Sequence, residues 1–315
     1  GTGMKTLGGP TLRLAGTARW EGTGHLYTGS GSVLQIEPTG LWEIRNDANV
    51  YYTYSPPTAT LNNNGTIRKL EASGTATFNS MAFNQAGVLD VDAGQLVFNG
   101  PFSQTAGQVA FSLRSPSTFG KIDVNGAAPL SGTCQVTLKG GYVPSAGDTF
   151  DLLSYNSFSG GFTNWLLPVI TNGLSWQATH SNTVLQLTAI ALPGPTALVK
   201  GTVKTTTGDP ITGAGVFAYH TATSNTFSVS ALTDATGSYQ VPVFNGSWHV
   251  GVRDLAALGY QEVNQQTILI TGADQTVNFV TSALTGQDYT ITTVSDPPDG
   301  GTTSGAGTYP SGTLV

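Results

Sequence analysis

The sequence predicts an all-β protein: a parallel β-solenoid with a terminal cap, then a β-sandwich, then the opening of a further small β module. Three observations carry that expectation. Apolar and polar residues alternate at period two, and no stretch sustains the 3.6-residue apolar spacing of an amphipathic helix. Glycine-led segments recur every 20 to 25 residues before Gly120, the period of solenoid coils. Only 10% of the 315 residues are charged, well under the share of about a quarter typical of globular domains, while Gly, Thr, Ser and Asn fill turns and outward strand positions.

The repeat emerges on aligning GLWEI from Gly40, GTIRK from Gly65, GVLDV from Gly87 and GQVAF from Gly107. Two residues after each glycine stand Trp42, Ile67, Leu89 and Val109, expected to form one inward column. Two further on stand Ile44, Lys69, Val91 and Phe111. Lys69 breaks that apolar column, so the strand of its coil is expected to end at Arg68. The intermediate Glu43, Arg68, Asp90 and Ala110 are expected to stack outward one strand spacing (~4.8 Å) apart, a ladder of alternating sign. Residues 1–118 read as the solenoid and 119–190 as its cap.

The stretch GTIRKLEASGTATFNSMAFNQAGVLDVDAGQLVFNG, Gly65 to Gly100, resembles the right-handed β-helix of filamentous-haemagglutinin and autotransporter-passenger proteins. From Gly120 to Thr188, GKIDVNGAAPLSGTCQVTL, GDTFDLLSYNSFSGGFTN and GLSWQATHSNTVLQLT resemble the closing region of such passengers. The resemblance implies a bacterial surface or secreted filament whose last coil is covered, since a bare solenoid end exposes unpaired backbone.

Residues 197–282 read as the sandwich. Val199, Gly201 and Val203 alternate as one buried face, continued by Val216 and Ala218, and the Gly-Asp-Pro at 208–210 turns the chain. Asp234 to Gly237 form a second turn before Tyr239, Val241 and Val243, and Asn245 with Gly246 gives a hairpin signal before Trp248, Val250 and Val252. KGTVKTTTGDPITGAGVFAY, TDATGSYQVPVFNGSWHVGV and VNFV in this spacing resemble the carboxypeptidase regulatory-like domain. That resemblance implies an Ig-like, prealbumin-type sandwich acting as a spacer or adhesive support. The Pro/Gly stretch at 191–196 reads as a semi-rigid linker. Residues 283–315 resemble the start of a divergent internalin-type repeat, truncated at Val315, which makes the chain read as a segment of a longer surface protein.

Twelve Lys and Arg scattered along a chain of net charge -6 leave no cationic stripe for phosphates, so no nucleic-acid partner is expected. Cys134 is the sole cysteine, which excludes an intrachain disulfide and a thiol redox pair. It is expected to be a small buried strand residue. No apolar run reaches membrane-spanning length, and the first residues, with no basic segment followed by an apolar one, are expected not to be a signal peptide. An extracellular or cell-surface bacterial location is expected.

Asp90 and Asp92 are the tight carboxylate pair of the solenoid, but a β-helix lyase or hydrolase would mount its acids on neighbouring coils beside a cation. Asp92 has no acidic neighbour at its register, and no histidine lies between Gly40 and Gly107. His25, His180, His220 and His249 are far apart and lack metal-ligand spacing. No catalytic residue, metal or cofactor is therefore expected. Lys200, Asn278 and Glu262 are the residue types of an internal isopeptide bond, yet alternation puts Lys200 outside the sandwich. The candidate binding surface is Asn46, Asp47, Asn49, Tyr51, Tyr52 and Tyr54, in the longer interval between two coils, where tyrosine rings can stack on sugars and amides can hydrogen-bond them. The expected function is structural or adhesive and non-enzymatic: a rigid stalk or binding scaffold. The alternative is a carbohydrate-binding or carbohydrate-processing β-helix. Expected partners are a glycan, neighbouring domains of the same parent chain, or a second copy stacked on the N-terminal coil.

Overall fold

The computed structural model describes residues 1–170, 174–191, 194–222, 225–284, 288–291 and 307–310. Among these residues there is no α-helix, and the helical turn is the 3-10 segment Ala256–Leu258. None of the described residues forms a helix long and apolar enough to cross a membrane.

The N-terminal part is a parallel β-solenoid of about six turns with three faces. The first face stacks Lys5–Gly8, Leu26–Gly29, Val50–Tyr52, Thr75–Asn79, Gln95–Asn99, Lys121–Leu130 and Thr149–Gly160. The second stacks Thr11–Leu14, Val33–Ile36, Thr60–Asn63, Ala82–Gln85 and Phe102–Gln104. The third stacks Thr17–Trp20, Leu41–Ile44, Thr66–Lys69, Val88–Val91, Gln108–Ser115, Thr133–Leu138 and Asn164–Leu166.

The repeating glycines explain how coils stack so closely. Gly40, Gly65, Gly87, Gly107 and Gly132 occupy one corner, where a Cβ on Gly87 would lie 2.1 Å from the Gly65 carbonyl oxygen and one on Gly107 2.1 Å from that of Gly87. Each of those carbonyls accepts a backbone hydrogen bond from the next coil: Val88 N–H to Gly65 at 2.7 Å and Gln108 N–H to Gly87 at 2.8 Å. A side chain there would pry apart the ladder that the carbonyl serves.

The inward column runs as expected through Trp42, Ile67, Leu89 and Val109, and continues through Cys134 and Trp165. None of the six is more than 5% exposed. The adjacent column corrects the expectation for Lys69. Its strand does not stop at Arg68 but includes Lys69, paired between Ile44 and Val91, and the side chain is fully buried.

At Thr149–Gly160 the pairing changes from parallel to antiparallel. This strand takes Val184–Ala191 as its next neighbour, which takes Leu174–His180. Antiparallel strands can return by a short hairpin and need no further coil, so the cap ends the winding. Leu174–His180 then pairs antiparallel with Asn225–Leu232 of the sandwich, Trp176 opposite Ser228 and Ala178 opposite Thr226. One thirteen-stranded sheet therefore runs from Lys5–Gly8 through the cap and on to Gln266–Ile270.

The second sheet of the sandwich sets Ala197–Thr205 against Ser238–Val243, with Gln275–Thr276 and Phe279–Thr281 parallel on its other side. Within strand Gly215–Ala222, residues 216–219 are buried on both faces. Val216 and Ala218 enter the sandwich core, whereas Phe217 and Tyr219 join the solenoid core, and Tyr219 Oη donates to the Thr163 carbonyl at 3.2 Å. Within 191–196, residues 192–193 lie outside the described residues. The shared sheet ties the two parts together beyond that connection. Lys200 is exposed and pairs with Asp274 at 3.0 Å, while Asn278 Oδ1 accepts from the Thr202 N–H at 2.9 Å, so the isopeptide residues are engaged elsewhere. Of 283–315, the described strands Asp288–Ile291 and Gly307–Pro310 pair antiparallel. Apart from 283–284, where Ala283 bridges Tyr260, the rest of the internalin-type resemblance lies outside the described residues.

Candidate ligand-binding surface of the solenoid

The six residues singled out between two coils go to three different places. Asn46 is buried: its amide donates to the Trp20 carbonyl at 3.0 Å and its Oδ1 accepts from the Ala48 N–H at 3.1 Å. Asp47 accepts from Lys69 Nζ at 2.8 Å and from the Gly74 N–H at 3.1 Å. With the carbonyls of Asn46 at 3.0 Å and Ala72 at 3.3 Å it completes a three-acceptor cage around the buried ammonium. Burying a charge is costly unless it is paired and hydrogen-bonded, and this cage meets that condition. Asn46 and Asp47 are thus structural partners of Lys69.

Asn49 and Tyr51 stay together on the outer side of the first face. Asn49 Oδ1 accepts from the Thr77 N–H at 2.9 Å and its amide donates to Tyr51 Oη at 3.1 Å. The Tyr51 ring stacks on Tyr27, centroids 5.6 Å apart, and makes a T-shaped contact with His25 at 5.1 Å. Tyr52 is half-buried opposite Thr28, and Tyr54 covers the glycine backbone at Gly8 and Gly29. Neither joins Tyr51. His25, weighed in the sequence only as a metal ligand, and Tyr27 were not joined to this surface because they lie one coil earlier. Only the register, Tyr27 opposite Tyr51, reveals them.

In the same column an asparagine ladder follows. Asn99 Nδ2 donates to Asn79 Oδ1 at 2.9 Å, Asn125 Nδ2 to Asn99 Oδ1 at 2.5 Å, and Asn79 Nδ2 to the Val50 carbonyl at 2.9 Å. Asn99 and Asn125 are exposed.

The charge ladder of the third face has the expected register, extended to Arg19: Arg19, Glu43, Arg68 and Asp90 lie opposite one another in turn. Glu43 is more enclosed than a solvated ladder implies, at 8% exposure, because Arg19 and Arg45 close over it at 2.9 and 3.0 Å. The Arg19 hydrogen bond leads in holding its carboxyl below the usual range, against burial and with help from Arg45. Asp90 differs. Burial pushes its pKa up and outweighs the Arg68 guanidinium at 2.7 Å.

Asp92 lines a cleft of about 540 Å³ with Glu71, Arg114, Phe119 and Lys121 from three successive coils. Burial alone would raise its pKa, but the Ser112 hydroxyl at 2.7 Å and Arg114 at 2.8 Å prevail and hold it low. Glu71 pairs with Arg45. An ionised, salt-bridged Asp92 is poorly suited to act as a general acid. Among the described residues no three His, Cys, Asp or Glu are grouped to hold a metal ion. The Cys134 thiol is buried and pushed above its ordinary pKa, and burial lowers His180.

Residues 198–284 match the family model of the carboxypeptidase regulatory-like domain. This is the sandwich, and the match agrees with its resemblance at the level of sequence. No curated protein matches the chain.

Proposed function

We propose that the chain is a structural, adhesive segment of a bacterial cell-surface or extracellular filamentous protein, a rigid stalk that holds a binding surface at a distance. The observation that carries this reading is the continuous thirteen-stranded sheet through solenoid, cap and sandwich. Domains joined only by a short linker move relative to one another by default. Here Phe217 and Tyr219 also pack into the solenoid core. A non-enzymatic role is supported by the cleft, where Asp92 and Glu71 are each tied to an arginine.

The test is a distance distribution between spin labels on cysteines introduced at Ser117 in the solenoid and Ala257 in the sandwich, both exposed. Cys134 is buried and stays unlabelled. A single narrow distribution is expected. A broad one, as from a tethered domain, would remove the rigid-stalk reading.

A further inference from the structure

One outward column of the first face draws a residue from each of six coils: Thr6, Tyr27, Tyr51, Asn79, Asn99 and Asn125. Thr6 is opposite Tyr27 and Tyr27 opposite Tyr51. Phe78 opposite Val50 sets Asn79 beside Tyr51, Asn79 is opposite Asn99, and Phe98 opposite Val124 sets Asn99 beside Asn125. We propose that this column is the binding strip for a neutral, linear glycan lying along the solenoid axis, with Tyr27 and Tyr51 as its stacking platform and the three asparagines as its hydrogen-bonding row.

The chemistry of each part fits that ligand. Tyr51 is held in place before anything binds, with Tyr27 stacked on it, His25 in a T-shaped contact beside it and its hydroxyl accepting from Asn49. A sugar ring laid on such a platform costs little side-chain entropy. In the amide ladder each link uses one of two Nδ2 protons and one of two Oδ1 lone-pair sites. Half the hydrogen-bonding capacity ties the coils together and the other half is left for a ligand. The row, half-buried at Asn79 and exposed at Asn99 and Asn125, thus offers a donor and an acceptor once per coil, at about the 4.8 Å strand spacing. That is close to the rise of an extended β-linked pyranose chain, so successive sugars can meet successive amides. The column holds no charged side chain, so nothing in it rewards a carboxylate or sulfate.

This proposal goes beyond the stalk and fails separately from it: rigidity is read by the spin labels, binding by calorimetry. The intact chain is titrated with cellohexaose, xylohexaose, laminarihexaose, mannohexaose and chitohexaose, and with oligogalacturonate as the acidic comparison. At least one neutral hexasaccharide is expected to bind, about tenfold more weakly in Tyr51→Ala. The exposed Asn99→Ala and Asn125→Ala, which lose only ladder hydrogen bonds, should stay folded with a melting temperature lowered by a few degrees at most and each weaken binding about threefold or more, which keeps the test decisive if Tyr51→Ala folds poorly. The proposal is overturned if no neutral oligomer binds at millimolar concentration, if binding survives these substitutions, or if oligogalacturonate is preferred. Dimerisation abolished by Asn99→Ala would also overturn it, by making the strip an interface between copies.

Discussion

Gly87→Ala is expected to destabilise the solenoid by about 3 kcal/mol or more, the upper end of what overpacking costs. The added methyl would sit 2.1 Å from the Gly65 carbonyl oxygen, with backbone atoms of Asn64 and Gly65 at 2.7 and 2.8 Å, so no flexible side chain can yield. Relief requires the two coils to part at the point where Val88 N–H bonds the Gly65 carbonyl at 2.7 Å. Gly126→Ala is the control, since no atom lies within 4 Å of the added carbon. It should change stability by no more than about 0.5 kcal/mol. Urea unfolding of the two variants checks the pair. A Gly87→Ala chain as stable as Gly126→Ala would mean that the coils are farther apart at this corner than described.

Lys69→Ala should cost about 3 kcal/mol, from two sources. The aliphatic stem fills the core column between Ile44 and Val91, so truncation leaves a cavity. The ammonium satisfies Asp47 and the carbonyls of Asn46 and Ala72, which lose a donor. Asp47 is 42% exposed and keeps some water, so the carbonyls and the cavity dominate. Lys69→Met restores most of the volume but none of the hydrogen bonds and should fall between wild type and Lys69→Ala, at about 1–2 kcal/mol. If both variants stayed within about 0.5 kcal/mol of wild type, Lys69 would be a surface lysine and the cage would not exist.

The parts of the fold that a period can encode were legible. The glycine spacing located the coils, and Trp42, Ile67, Leu89 and Val109 do form one buried column. In the sandwich, Val199 and Val203 are fully buried, as their alternation indicates. Lys69 was misread because its three acceptors come from Asn46, Asp47 and Ala72, and loop geometry leaves no trace in an apolar pattern. The candidate surface scattered for a related reason: consecutive residues of a strand such as Val50–Tyr52 face opposite ways, and in the loop before it Asn46 turns inward while Asp47 is drawn to Lys69. The Tyr and Asn column depends on register between coils of unequal length. A signal for it was present in Phe78-Asn79, Phe98-Asn99 and Val124-Asn125, an apolar residue followed by asparagine at each strand. Pairing of 176–179 with 225–228 joins distant segments and has no local signature.

That pairing is the centre of the account, and amide hydrogen exchange tests it most directly. The amides of Trp176–Thr179 and Thr226–Ser228 that point across the joint should exchange as slowly as those of Val184–Ala191, which lie inside the same sheet. Exchange at the joint as fast as in the exposed turn at 207–209 would contradict it, leaving solenoid and sandwich as two bodies that meet without sharing a sheet.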